Sequence, residues 1–314
     1  MRLGFAVKVL GDGGLPSHDT RRWQSGPHLR VSLERLEAIL RYLARNEIRM
    51  YRMASALAPY ASHPKLTQFH DQVAECAAEL ACVGALATEL GVRLSFHPGQ
   101  YTVLNSQDET VQDAAVAELE VHASILDAMG LGPEAIVVLH GGGGAGGLPA
   151  AADRFRVGFE RLSAAARARL ALENDDRVFP LVEVAEIARE LGVRVVFDPL
   201  HHACLDPHGL AEREALELAL SSWPGDQVPK IHYSSPRLDL REKRRRVGRR
   251  IERLPVLPDL RLHADLVDPL AFELFLRHVA NGIREFDVML EAKAKDLALL
   301  RLREQLRWRG IELG

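Results

Sequence analysis

At 314 residues, 47% of them apolar and 26% charged, the chain can bury a large core and has the balance of an ordinary globular protein. A net charge of -3 excludes a chain-wide polycation, so any nucleic-acid surface must be a local patch of Lys and Arg. The three cysteines (Cys76, Cys82 and Cys204) form no C-x-x-C pair, which argues against a disulfide framework or thiolate zinc site and suits a reducing cytosol.

No stretch approaches the roughly 20 apolar residues that span a bilayer, and the first residues carry no signal-type apolar run. Eight short apolar runs predict strands: RLGFAV (2–7), EIRMYRM (47–53), VRLSFH (92–97), AIVVLH (135–140), ARLALE (168–173), VRVVFD (193–198), PKIHYS (229–234) and FDVMLE (286–291). Amphipathic segments between them predict helices. Residues 32–46 begin with Ser32 as N-cap; 68–90, 108–129, 151–167, 181–191, 211–220 and 269–281 follow. Leu-Gly at 90–91 and 191–192 marks helix ends. Eightfold strand-helix alternation predicts one (β/α)8 TIM barrel over residues 1–314, with a helical tail from about 297. An open doubly wound sheet is the alternative, but no G-x-G-x-x-G follows the first strand. Two segments break the pattern, the loop 8–31 and an insertion at about 235–268. Both fall on the strands' C-terminal face.

The chemistry lies in position. Seven strands carry a metal-type residue at or just beyond their C-terminal end: His63, His97, His140, Glu173, Asp198 with His201, His232, and Glu291, with His263 in the loop after strand seven. In a closed barrel these ends converge on one mouth. A lone His there is more often structural than a ligand. Buried carboxylates are different, because each needs a partner. Six to eight His and carboxylate donors, without thiolate, suit two or three divalent ions of the Mn²⁺, Zn²⁺ or Fe²⁺ type, with Glu173 bridging. Lys230 shares the inner face with His232. It either pairs with Asp198 or Glu291, or serves as a functional lysine that contacts phosphate or is covalently modified.

The block FHPGQYTVLNS (96–106) resembles the signature of the UV damage endonucleases. ASHP (61–64), VVLHGGG (137–143), LALENDD (170–176), VVFDPLHHA (195–203), KIHYSSP (230–236) and VMLEAKAKD (288–296) resemble the same family in the same order. That resemblance implies a TIM-barrel nuclease related to endonuclease IV, which nicks damaged double-stranded DNA immediately 5′ to UV photoproducts using divalent ions, manganese first and zinc or magnesium after it. It implies His97, His140, Glu173, Asp198, His201, His232 and Glu291 as metal ligands and His63 and His263 as further site histidines. It also implies Lys230 as a carboxylatable lysine, and Gln100 and Tyr101 as the pair that enters the duplex at the lesion. The chain departs from the family at GFAVKVLG (4–11), where Val9 replaces an expected polar residue; Arg21, Arg22 and Trp23 are candidate replacements.

The run REKRRRVGRRIER (241–253), with Arg244, Arg245 and Arg246 at its centre, is the one dense basic cluster. It reads as a phosphate-binding edge or as a solvated charged helix. GGGGAGG (141–147) is either a close approach for a DNA backbone or a surface loop. The expected protein is a monomeric, cytoplasmic DNA repair endonuclease with no membrane partner. A metal-dependent sugar isomerase or epimerase on the same barrel is the alternative, and a non-catalytic damage-binding protein is a third reading.

Overall fold

The computed structural model describes residues 1–248 and 250–313; Arg249 of the basic run and the final Gly314 lie outside the described residues. All eight predicted strands form: β1 (Leu3–Ala6), β2 (Met50–Arg52), β3 (Arg93–Ser95), β4 (Val137–His140), β5 (Leu170–Glu173), β6 (Arg194–Val196), β7 (Lys230–Tyr233) and, after an inserted hairpin of β8 (Arg241–Val247) and β9 (Arg250–Val256), β10 (Asp287–Leu290). One parallel sheet has the order β3-β2-β1-β10-β7 and a second the order β4-β5-β6. Backbone bonds link the two at both edges. Past β3, Phe96 bridges Val137, with Phe96 N donating to Ile136 O and Val138 N to Phe96 O, each at 3.0 Å. Past β6, His232 N donates to Phe197 O at 2.9 Å.

The parallel strands are buried almost throughout because both faces are covered. Outward residues such as Phe5, Tyr51, Leu172 and Ile231 join the helix residues Leu33, Leu36 and Leu40 in the main core. Ile136, Val138, Ala171, Val196 and Trp223 form a separate inner cluster. Period-two alternation puts Arg93, Ser95 and His97 on one inner column, Lys230 and His232 on another, and Asp287, Met289 and Glu291 on a third. At the N-terminal end of these columns Arg93 Nη1 donates to Asp287 Oδ2 and to Val228 O, both at 2.9 Å.

Several expected helices differ in detail. Helix α1 (Leu29–Arg45) starts before Ser32, and its N-cap is His28, whose Nδ1 accepts from Arg30 N at 3.2 Å. Ser32 lies buried inside the helix and accepts from Asp19 N at 2.9 Å, since the apolar stripe already begins at buried Leu29. The expected 68–90 helix is divided into α2 (Gln72–Glu75) and α3 (Ala77–Glu89). The break falls at Cys76, whose φ of -108° and ψ of 20° leave the helical region, while buried Gln72 anchors the start of α2 by donating to Pro59 O and Phe69 O and accepting from Leu29 N. α4 (Glu109–Ala128) is capped by Asp108. The 151–167 segment becomes α5 (Leu148–Glu160) and α6 (Ala164–Arg169), because Ser163 caps the second. α7 (Leu181–Leu191) ends at Gly192 with φ 69°. A short α8 (Pro199–Cys204) was not expected; α9 (Glu212–Ser221), α10 (Pro269–Leu274) and the tail α11 (Lys295–Trp308) complete the set. The basic run is an antiparallel hairpin and not a helix.

Candidate metal centre

Glu173 ends β5 with its side chain fully buried, opposite His140 in the β4–β5 register. Four imidazoles surround its carboxylate: His232 Nδ1 at 2.8 Å, His97 Nε2 at 2.9 Å, His201 Nδ1 at 3.4 Å and His140 Nε2 at 3.6 Å. Three donor sets each bring their ligand atoms within 4.8 Å of one another: His97, His140 and Glu173; His97, His232 and Glu291; and Glu173, Asp198, His232 and Glu291. With His201 attached through Glu173, the seven residues expected as ligands share one cluster.

Local structure orients them. Asp198 is the N-cap of α8, so Oδ1 accepts from His201 N at 3.0 Å. Asn174 clamps the Asp198 backbone from both sides, accepting from its N at 2.9 Å and donating to its O at 3.0 Å. His97, His201 and His263 each hold Nδ1 3.0 Å from a backbone carbonyl, of Pro98, Asn174 and Glu291 respectively. A proton on Nδ1 leaves each Nε2 as the free donor atom, the arrangement by which outer partners orient metal-binding histidines.

The cluster leaves polar atoms that a cation could satisfy. Glu173 Oε1, Asp198 Oδ2, His140 Nδ1 and both ring nitrogens of His232 are buried without a hydrogen-bond partner. His232 Nδ1 is close to Glu173 Oε1, yet the contact lacks hydrogen-bond alignment. Each such group costs about 1–3 kcal/mol if left unpaired. Burial alone would raise the Glu173 carboxyl, but His232 and His140 hold it well below the usual range. Glu291 behaves alike: burial opposes ionisation, and Arg52 and His232 overcome it. Burial pushes His97 down to about 4, so its ring is neutral. For His201 burial is outweighed by Asp198 and Glu173, which raise it to about 9.

Lys230 is fully buried, and its Nζ donates to Ser95 Oγ at 3.0 Å. The expected ion pair with Asp198 or Glu291 does not form among the described residues. Burial, then Arg93 and Arg52, push the amine well below its ordinary value. Sequence reasoning missed Ser95, Asn174 and above all Arg52, which ends β2 and pairs with Glu291. The strand-end rule that singled out the candidate ligands would have found Arg52 had it been applied to cations.

The remaining candidates divide. His263 lies beside the cluster, its ring 6.0 Å from His201 and Nδ1 3.6 Å from Glu291 Oε2. His63 is in none of the donor sets; its Nδ1 accepts from Lys65 N at 3.2 Å. Gln100 lines a cavity of about 450 Å³ with His140, Asp176, Arg177 and His201, and neighbouring Tyr101 is 83% exposed. The glycine run is packed only at its start, where a Cβ on Gly141 would meet the Phe179 ring at 2.4 Å and Gly142, with φ 92°, abuts Asn105; residues 143–147 are exposed, as a surface loop is. Val9 is buried, Arg21 is held by Asp19 at 2.6 Å, and Trp23 is exposed. Arg244, Arg245 and Arg246 are exposed on β8.

A family model described as UV-endonuclease UvdE matches residues 29–313. The chain belongs to the UV-endonuclease UvdE family. A relative named UV DNA damage endonuclease, from Bacillus cereus strain G9842, is 31% identical over 282 residues, covering 88% of this chain and 81% of that one. The crystal structure of SacUVDE superposes with a TM-score of 0.82 at 30% identity, covering 99% of each chain. A D-psicose 3-epimerase from Clostridium cellulolyticum H10 superposes at 0.56 with 12% identity, which shows a shared fold alone. The UvdE assignment thus rests on sequence and structure together.

Proposed function

We propose that this UvdE-family protein is a DNA repair endonuclease that cuts the backbone of UV-damaged duplex DNA immediately 5′ to the lesion, from the mouth of one closed eight-stranded barrel. The observation that carries the reading is the buried Glu173 carboxylate ringed by four imidazoles, beside exposed Gln100 and Tyr101. The donor set fits divalent ions, because the unpartnered atoms are those a cation would satisfy. His97, His140, Glu173, Asp198, His201, His232 and Glu291 would hold two or three of them, manganese first. Ions in such a cluster supply the positive charge that phosphodiester hydrolysis needs at its entering and leaving oxygens.

The chain's own groups do the rest. The backbone carbonyls fix the ring orientations of His97 and His201, and Arg52 holds the Glu291 carboxylate in place. Tyr101 and Gln100 would fill the gap left by a displaced damaged base, whose pairing is already weak. Lys230 is buried beside Ser95, where burial favours the uncharged amine, the form that would take up carbon dioxide as a carbamate. A carbamate carbon resonance in ¹³C-bicarbonate, absent in Lys230→Met, checks this. On this reading the enzyme is a monomer in the reducing cytosol; among the described residues no helix is long and apolar enough to cross a membrane. The deciding experiment is nicking of UV-irradiated against undamaged supercoiled plasmid, with Mn²⁺ and with chelator. Selective, manganese-dependent nicking is expected; equal nicking of both plasmids, or none with any divalent ion, overturns the reading.

A further inference from the structure

The inserted hairpin β8–β9 is a free-standing two-stranded ribbon, with every described residue from 241 to 255 exposed. Its register is complete over seven pairs, from Arg241 opposite Val256 to Val247 opposite Arg250. Its root is tied to the metal centre. Pro236 bridges His263, Arg237 N donates to Leu262 O at 2.7 Å, and Ala264 N donates to Ser235 O at 2.8 Å. The ribbon therefore rises directly from a residue whose ring is 6.0 Å from His201.

The two faces differ. Residues directly opposite share a face, so one carries Glu242, Arg244 and Arg246 with Pro255, Arg253 and Ile251. There Arg244 stands directly across from Arg253, a like-charge pair that disfavours the hairpin by itself. Only Arg253 finds a carboxylate among the described residues, Glu242 at 3.4 Å, and that pair is exposed. The other face carries Arg241, Lys243, Arg245 and Arg250, but sets Arg245 against Glu252 and interleaves Val247, Leu254 and Val256. Three clustered guanidiniums, two of them directly opposed and sharing a single carboxylate, make this face a strong attractor of anions, with no valine or leucine interrupting it as on the other face.

We propose that the Arg244–Arg246–Arg253 face is a docking surface for the phosphate backbone of undamaged duplex DNA flanking the lesion. The inference rests on the endonuclease reading and adds how the substrate is held. Seven residues per strand give a ribbon about 20 Å long, which spans roughly six base pairs at about 3.4 Å per step. Charge complementarity selects nucleic acid over a second copy of this chain, since two such cationic faces repel.

The test compares two triple variants of equal charge change in the full-length enzyme. One is Arg244→Thr/Arg246→Thr/Arg253→Thr; the control is Arg241→Thr/Lys243→Thr/Arg245→Thr on the opposite face. Binding to an undamaged duplex of about 30 base pairs is measured by fluorescence anisotropy against salt concentration. The slope of log K against log salt falls by about 0.9 for each lost phosphate contact, hence by about 2.7 for the first triple, while the control keeps a slope near wild type. Equal reduction by both triples would mean diffuse attraction without a docking face, and no reduction by either would mean the ribbon does not touch DNA; each result overturns the proposal. Both variants should melt as wild type does. Failure of wild type itself to nick would strike the endonuclease reading, whereas wild-type nicking with unaltered slopes would strike the ribbon alone.

Discussion

Glu173→Gln probes the metal centre most directly. The amide has nearly the shape of the carboxylate, so packing at this buried position is kept while the negative charge among four imidazoles is lost. A cation bound at 100 times its Kd stabilises the native state by about 2.7 kcal/mol. Unfolding 314 residues carries an entropy of about 0.7 kcal/mol/K, so saturating Mn²⁺ should raise the wild-type Tm by about 4 °C. In Glu173→Gln that rise should vanish, and nicking of irradiated plasmid should slow by roughly 100-fold or more. Differential scanning fluorimetry with a Mn²⁺ titration reads the first effect, and a timed plasmid assay reads the second. A variant that kept both the manganese shift and wild-type nicking would refute the assignment of Glu173 as the shared ligand.

Other outcomes follow from the same geometry. Tyr101→Ala removes an exposed ring, so Tm should be unchanged, while nicking of irradiated DNA should drop by the roughly 1–3 kcal/mol of one base–aromatic stack; equal activity on damaged plasmid would show that the ring does not enter the duplex. Asp287→Ala leaves Arg93 buried without its carboxylate and should cost about 3–5 kcal/mol, a fall of roughly 5–8 °C in Tm, with little effect on the manganese shift. His201 is raised to about 9 in the metal-free protein. Its charge contributes stability fully present below its ordinary value near 6.5 and lost as pH rises through about 9. A cation must displace that proton, so manganese affinity should rise with pH up to about 9, and calorimetry at pH 7.5 in buffers of different ionisation enthalpy should show about one proton released. Binding that released none would contradict it.

The parallel strands were legible because burial on both faces makes them continuous apolar runs, and the donors because each stands where such a run ends. Lys230 and His232 could be placed on one face by alternation alone. The partner of Lys230 could not, since Ser95 comes from a strand 135 positions away. The start of α1 was misread because His28, an uncommon cap, does the work expected of Ser32. The late start of α2 goes with Gln72 reaching three backbone groups from other segments, which no periodicity reveals. The ribbon was unreadable as strands because REKRRRV has no apolar alternation; with neither face buried, its pairing leaves no hydrophobic signature.

Asp198 divides its two oxygens between tasks: Oδ1 is committed to the first turn of α8, and Oδ2 is left over. Together with the carbonyl-locked rings of His97 and His201, this means that the proposed ligands are oriented by the polypeptide's own hydrogen bonds. If they bind ions, the ordering entropy that a zinc finger meets when its metal binds would here be met during folding. Ion exchange at this centre should accordingly proceed without global unfolding, with the choice of metal governed by donor chemistry and supply instead of by the ability of the ion to organise the chain.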